Sequence, residues 1–256
     1  MDNGIIKHLN LLKNNLSFLS LLVLLGGWYG LAVYLNSPAL PRPLVVAQVF
    51  WQALLSGQLL YHLGVTLLRL SVSFSIAMLL GCSIGLWLGR HKQLDAFFDN
   101  WVIIFLNVPA LVTIILCYVW FGLVESAAIL AVVINKLPNV IVVVREGART
   151  LDQDLLEMAR CYRFSRKKTL CHVILPQLHP FFMTATRSGL SLTWKIILVV
   201  ELLGRSNGIG YQLHLFFQLF DVASIMAYTV AFVAVIQLIE LLILKPLDRR
   251  SLRWRR

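Results

Sequence analysis

The chain has 256 residues, 59% of them hydrophobic and only 14% charged, with a mean hydropathy of +0.78 and a net charge of +11. A soluble domain carries roughly 25% charged residues, so the composition excludes an ordinary soluble fold and describes an integral membrane protein. The surplus Lys and Arg gather beside membrane-length apolar runs, a pattern that membrane topology explains better than a nucleic-acid surface does.

Residues 16–35 form a charge-free apolar run of about the 20 residues a spanning helix needs. The run follows a tail with Lys7, His8 and Lys13, and it is too long, and too poor in a small-residue cleavage site, for a signal peptide. Residues 36–61 open with Pro38, Pro41 and Pro43 and read as an external loop carrying a short surface helix. The second span, 70–88, carries Ser73, Ala77, Gly81, Gly85 and, just beyond it, Gly89. Spaced four apart, these residues make a ladder on which another helix can approach closely; the bland reading is local flexibility.

Arg90, His91 and Lys92 mark a return to the positive side, and 101–124 reads as a third span kinked at Pro109, with Trp120 near its far end. After a short turn at Glu125 and Ser126 comes a fourth span, 127–144, interrupted by Asn135, Lys136 and Pro138. An ionisable residue inside a span is a functional candidate, although Lys136 can also snorkel or pair with the interior. A basic insert, 145–176, leads into the fifth span, 177–203, which holds Arg187, Trp194, Lys195 and Glu201 and is too polar to face lipid on all sides. Residues 204–221 form a glycine-rich loop or re-entrant turn, 222–239 is the sixth span, and the chain closes on Lys245, Arg249, Arg250, Arg253, Arg255 and Arg256. With both termini inside, the inner segments hold most of the 23 Lys and Arg residues, while the outer loops hold chiefly Arg42 and Arg205. The positive-inside bias therefore gives an all-α, polytopic single domain with six spans, cytoplasmic termini and the basic insert in the cytoplasm.

Within that insert Leu155, Met158, Ala159 and Tyr162 recur at helical spacing and make an apolar stripe, and Glu157 can pair with Arg160. Ser165 caps a second helix with Leu170, Val173 and Ile174 on its face, which ends before Pro176. Arg166, Lys167 and Lys168 crowd its first turn, where the helix dipole disfavours positive charge, so a partner or anionic lipid is expected nearby.

Catalytic signatures are missing: the chain has no phosphate loop, no His-Glu-x-x-His and no Gly-x-Ser-x-Gly, so no enzyme is expected. Gly208 and Gly210 follow no strand and are no dinucleotide fingerprint; His172 and His179 have proline between them and make a poor metal pair. Cys82, Cys117, Cys161 and Cys171 lack Cys-x-x-Cys spacing and read as free thiols, with no metal site.

Glu157-Met-Ala159, Phe164 and Ile174-Leu-Pro176 resemble the EAA loop of bacterial ABC importer permeases, the element that docks on the ATPase. Residues 38–43, 56–59, 62–69, 120–122, 151–156, 190–194, Glu201 and 206–211 extend the resemblance to the nitrate, sulfonate and taurine branch, over about residues 15–250. The chain departs from the pattern at Met158, where the family has a second alanine, and at Arg163, where it has glycine. A left-handed turn there would cost arginine roughly 1 kcal/mol, so either the turn is reshaped or Arg163 has gained a contact.

The resemblance implies a permease subunit with no cofactor of its own, ATP and Mg being bound by a cytoplasmic ABC ATPase present in two copies. It also implies a second permease copy, an external solute-binding protein, the bacterial inner membrane as location, and no nucleic acid. Leu155, Glu157, Met158, Ala159, Tyr162, Arg163, Leu175 and Pro176 would then carry the coupling. Arg187, Trp194, Lys195 and Glu201 would line the pathway or, equally, pair to lock a dimer. Nitrate, a sulfonate, taurine or a thiamine-related pyrimidine all fit as solutes; a secondary carrier would need inverted repeats relating 16–120 to 121–245, which the sequence lacks.

Overall fold

The computed structural model describes residues 19–20, 22–244 and 246, and these are helical throughout apart from short turns. The basic terminal tails, and the start of the expected first span, lie outside the described residues. The helices are α1 (Leu22–Leu35), α2 (Pro43–Leu55), α3 (Gln58–Arg90), α4 (Lys92–Asn107), α5 (Ala110–Phe121), α6 (Glu125–Arg149), α7 (Gln153–Cys161), α8 (Arg166–Thr169), α9 (Leu175–Gly204), α10 (Ile209–Gln218) and α11 (Val222–Ile239). Among the described residues three helical runs, Gln58–Arg90, Glu125–Arg149 and Val222–Leu242, are long and apolar enough to cross a bilayer, and α4 with α5 makes a fourth if the bent pair counts as one.

Four boundaries differ from the sequence reading. Residues 43–55 form the short helix expected within that loop, started by Pro43, which is preset for a helix first turn, but α3 begins at Gln58, well before residue 70. The expected kink at Pro109 is a break: Val108 is extended (ψ 123°), as the residue before proline prefers, and α4 and α5 meet at 94°. The 204–221 loop contains α10. The helix expected to end before Pro176 runs on into α9 through a wider, π-type turn at Leu170–Ile174, in which Leu175 N–H donates to Leu170 O.

The chain packs as two units. The first takes the described residues up to Leu59 together with Leu213–Ala231. In it Trp28 Nε1 donates to Pro41 O at 3.1 Å, and the Asp221 carboxylate caps α11 by accepting from Ser224 N–H at 3.1 Å.

The second unit, Leu60–Gln212 with the described residues from Phe232 onward, contains the bundle. There α6 lies along α3 on the small-residue ladder. A Cβ at Gly81 would stand 2.6 Å from Val140 Cβ, one at Gly85 2.8 Å from Ile141 O, and one at Gly89 2.6 Å from Ala148 Cβ. Ser73 and Ala77 on the same line are fully buried. Apolar clusters then join α5, α6 and α9 around Ile114, Tyr118, Val132, Ile197 and Val200, and α3, α4 and α6 around Leu88, Val102 and Ile141.

Candidate functional site

The insert between α6 and α9 is a hairpin whose ends are clasped. Asp152 N–H donates to Gln177 Oε1 at 2.9 Å, and Gln177 Nε2 donates to Val173 O at 3.0 Å. Beneath the clasp Ala148, Leu151, Ile174 and Leu178 are buried together, with Leu156, Phe181 and Phe182 against them. Close approach is secured at Gly147, where a Cβ would lie 2.5 Å from the Phe181 ring.

Asp152 caps α7, its carboxylate accepting from Asp154 N–H at 2.9 Å and Leu155 N–H at 3.3 Å. The amphipathic helix turns Ala159 inward and leaves Leu155, Met158 and Tyr162 exposed, Tyr162 by 73%. Glu157 is exposed as well, and among the described residues no ion pair joins it to Arg160 or to any other side chain, contrary to the expected internal pair.

The turn after α7 keeps the left-handed geometry with arginine in it. Arg163 has φ +49°, its N–H donates to Arg160 O at 2.9 Å, and Phe164 N–H donates to Ala159 O at 2.9 Å, the bonding of a Schellman ending. Of the two alternatives, the turn is not reshaped. Replacing Arg163 by glycine relieves the left-handed penalty and should stabilise the turn by about 1 kcal/mol. The measurement is hydrogen exchange at the Arg163 and Phe164 amides, where slower exchange is expected; faster exchange would contradict this account.

Ser165 caps α8, accepting from Lys168 N–H at 3.3 Å, and Lys168 Nζ sits 4.0 Å from the Phe164 ring centroid. Arg166, Lys167, Leu175 and Pro176 are exposed.

The four ionisable or aromatic candidates of α9 separate onto different faces. Arg187 and Lys195 are exposed and share a stripe with Thr184, Ser188 and Ser191, about 16 Å long at the helical rise. Trp194 is half-buried against the α5–α6–α9 cluster. Glu201 is 0% exposed and faces the other way, into a polar network that spacing alone did not reveal.

In that network Glu201 Oε1 accepts from Arg69 Nη1 at 2.8 Å, and Oε2 accepts from Thr66 Oγ1 and Gly210 N–H, both at 2.9 Å. Arg69, 3% exposed, also holds Glu125 through Nε and through Nη2 (3.0 Å to Oε2), and Asn207 through its carbonyl (2.9 Å) and its side-chain oxygen. Arg205 completes the set, its Nη2 2.6 Å from Glu125 Oε2 and its Nη1 donating to Leu123 O at 2.6 Å. The glycine-rich segment wraps this core. Gly208 has φ +106° and a Cβ there would fall inside the Glu201 carboxylate, while one at Gly210 would lie 2.8 Å from Glu201 Cβ. Gly208 N–H donates to His62 Nδ1 at 3.0 Å, and Gln212 Nε2 lies 2.8 Å from His62 Nε2.

A second ionic cluster sits just before the hairpin. Arg145 Nη1 lies 3.2 Å from Asp95 Oδ1 and 2.6 Å from Asp99 Oδ1; Arg149 Nε donates to the other Asp95 oxygen at 3.1 Å, and Arg149 Nη1 to Glu146 at 2.8 Å. Lys136 is 2% exposed and packs against Gly189, where a Cβ would lie 2.6 Å from Nζ; among the described residues it has no ion pair. No group of His, Cys, Asp and Glu among the described residues is arranged to hold a metal, and all four cysteines are free thiols.

Residues 77–250 match the family model described as binding-protein-dependent transport system inner membrane component. A Bacillus subtilis protein whose name gives it as an aliphatic sulfonates transport permease is 30% identical over 226 residues, 88% of this chain and 81% of its own. The taurine transport system permease of Escherichia coli is 28% identical over 246 residues, covering 93% and 89%. Among solved structures, the crystal structure of an amino acid ABC transporter with histidines superposes with a TM-score of 0.60 at 19% identity, over 79% of this chain and 96% of that one, and shares its fold.

Proposed function

The chain belongs to the binding-protein-dependent transport system inner membrane component family, and we propose that it forms the solute pathway of an ATP-driven importer and couples that pathway to a separate cytoplasmic ATPase. The carrying observation is the clasped hairpin, whose outward face of Leu155, Glu157, Met158 and Tyr162 is exposed while its base is packed into α6 and α9. Such an element can receive a push from a partner and deliver it to two long helices. In this reading the chain crosses the bacterial inner membrane six times with both termini in the cytoplasm. It pairs with a second copy of itself, is fed by an external solute-binding protein, and sits on two ATPase subunits that hold the ATP and Mg.

The solute in this proposal is a small oxyanion or sulfonate. Support comes from the sulfonate and taurine relatives, since both solutes carry a sulfonate group, and from the exposed Arg187 to Lys195 stripe. A cationic polar face on a spanning helix needs water or protein beside it and attracts an anion passing through.

Purification of the chain in mild detergent with its bound subunits, followed by reconstitution into vesicles with ATP inside, is the test. ATP-dependent uptake of labelled taurine or an alkylsulfonate supports the reading. Solute flux that ignores ATP, with no ATPase recovered, would replace it by a carrier or channel.

A further inference from the structure

Asp95 and Asp99 are one helical turn apart near the start of α4, and Arg145 and Arg149 are one turn apart at the end of α6. Facing each other, they form a two-rung ladder in which Arg145 spans both carboxylates and Arg149 grips the far oxygen of Asp95. Arg145 and Asp95 are buried, so water neither screens nor competes for this rung. An apolar seam like the one at Leu88, Val102 and Ile141 tolerates sliding, because dispersion contacts have no direction. A ladder of charge-assisted forks does not: rotating α4, or sliding it by a fraction of a turn, draws both aspartates away from the guanidinium groups at once. Arg149 is also the last residue of α6, and the cap of α7 follows at Asp152.

We propose that this ladder makes α4 move as one body with the coupling hairpin, so that the break at Val108–Pro109 between α4 and α5 is the hinge at which the bundle yields. Asp95, Asp99, Arg145 and Arg149 are thereby positioning residues for energy coupling, a role that rests on the importer reading above. On the other side of the hinge α5 is held to α9, Tyr118 OH donating to Val200 O at 2.8 Å. The hairpin's displacement therefore reaches the bundle by two arms: through Ile174 and Leu178 into α9, and through the ladder into α4.

The test uses the complete transporter, with ATPase and binding protein, in vesicles, and reads taurine or alkylsulfonate moved per ATP hydrolysed. In Asp95→Asn with Asp99→Asn the ratio should fall at least tenfold while hydrolysis stays within about twofold of wild type. The fully reversed ladder, with both aspartates changed to Arg and Arg145 and Arg149 changed to Asp, should return the ratio to within about threefold. Should the doubly neutralised chain not survive extraction, Asp99→Asn alone, which leaves the Asp95–Arg149 rung, reads the same ratio and should lower it. An unchanged ratio in these variants overturns the proposal, as does a fall in hydrolysis and uptake in equal proportion that tracks thermal stability. A wild-type transporter without ATP-driven uptake overturns the importer reading, and this role with it, and is told apart because the defect is then present before any substitution.

Discussion

Glu201→Ala should destabilise the chain by about 3–5 kcal/mol, the usual consequence of removing one partner of a buried ion pair. The carboxylate is fully buried and satisfies three donors: Arg69, Thr66 and the Gly210 amide. Alanine leaves the Arg69 guanidinium, itself 3% exposed, with only Glu125 and Asn207, and releases the glycine-rich segment built around the missing group. Equilibrium unfolding in detergent checks the value. Replacing both partners, Arg69→Met with Glu201→Leu, should recover part of the loss, because no charge is then left buried and alone. If Glu201→Ala unfolds like wild type, the network contributes nothing to stability.

The sequence marked Glu201 as a charge in a span that needed a partner, yet grouped it with Arg187, Trp194 and Lys195 because all four lie on α9. Spacing fixes which residues of one helix share a face; it does not say which helix covers that face. Arg187 and Lys195 do share one, but Glu201 points to α3. The missed signal was on α3 itself. His62, Thr66, Arg69 and Ser73 continue upward the line that Ala77, Gly81, Gly85 and Gly89 draw below, so one face of a single helix is polar at one end and small along the rest. In the sequence reading the loop covers 36–61 and the span 70–88, with residues 62–69 given no element, whereas the helix begins at Gln58. Polar residues at helical spacing before an apolar run are equally a helix whose buried face binds ions.

Pro109 and Pro138 look alike in sequence and behave differently, for a reason that lies in packing. Pro138 is buried inside α6, which is packed against α3 and α9 and continues as one helix past it; at Pro109 the preceding Val108 takes the extended conformation and the chain turns by 94°. The hairpin was more legible, because its devices are local: the Asp152 cap was not singled out, but the amphipathic helix and the Ser165 cap follow from residues a turn or two apart. The ladder of Asp95 and Asp99 with Arg145 and Arg149 joins residues about fifty positions apart and could not be read from either segment.

Glu157→Lys should leave the chain folded and inserted but abolish most coupled transport. Glu157 is exposed on α7 without an internal partner among the described residues, so its replacement should change stability by no more than about 0.5 kcal/mol, as for other surface sites. On its C-terminal side the chain is strongly basic, with no acidic residue before Glu201, and an added lysine would leave Asp154 as the one acidic residue of α7 and α8. At an interface that has a cation facing Glu157, reversal replaces attraction by repulsion worth several kcal/mol, and about 3 kcal/mol corresponds to roughly a hundredfold weaker association. ATP-driven uptake in reconstituted vesicles should therefore fall by about two orders of magnitude, with the unfolding midpoint of the chain essentially unmoved. Arg163→Gly is the matched control in the same hairpin: it changes a backbone preference, and should strengthen the turn without weakening uptake to that degree. Undiminished uptake by the Glu157→Lys protein would mean that the exposed face of α7 is not where the ATPase engages, and the hairpin would then need another partner to account for its exposed Leu155, Met158 and Tyr162.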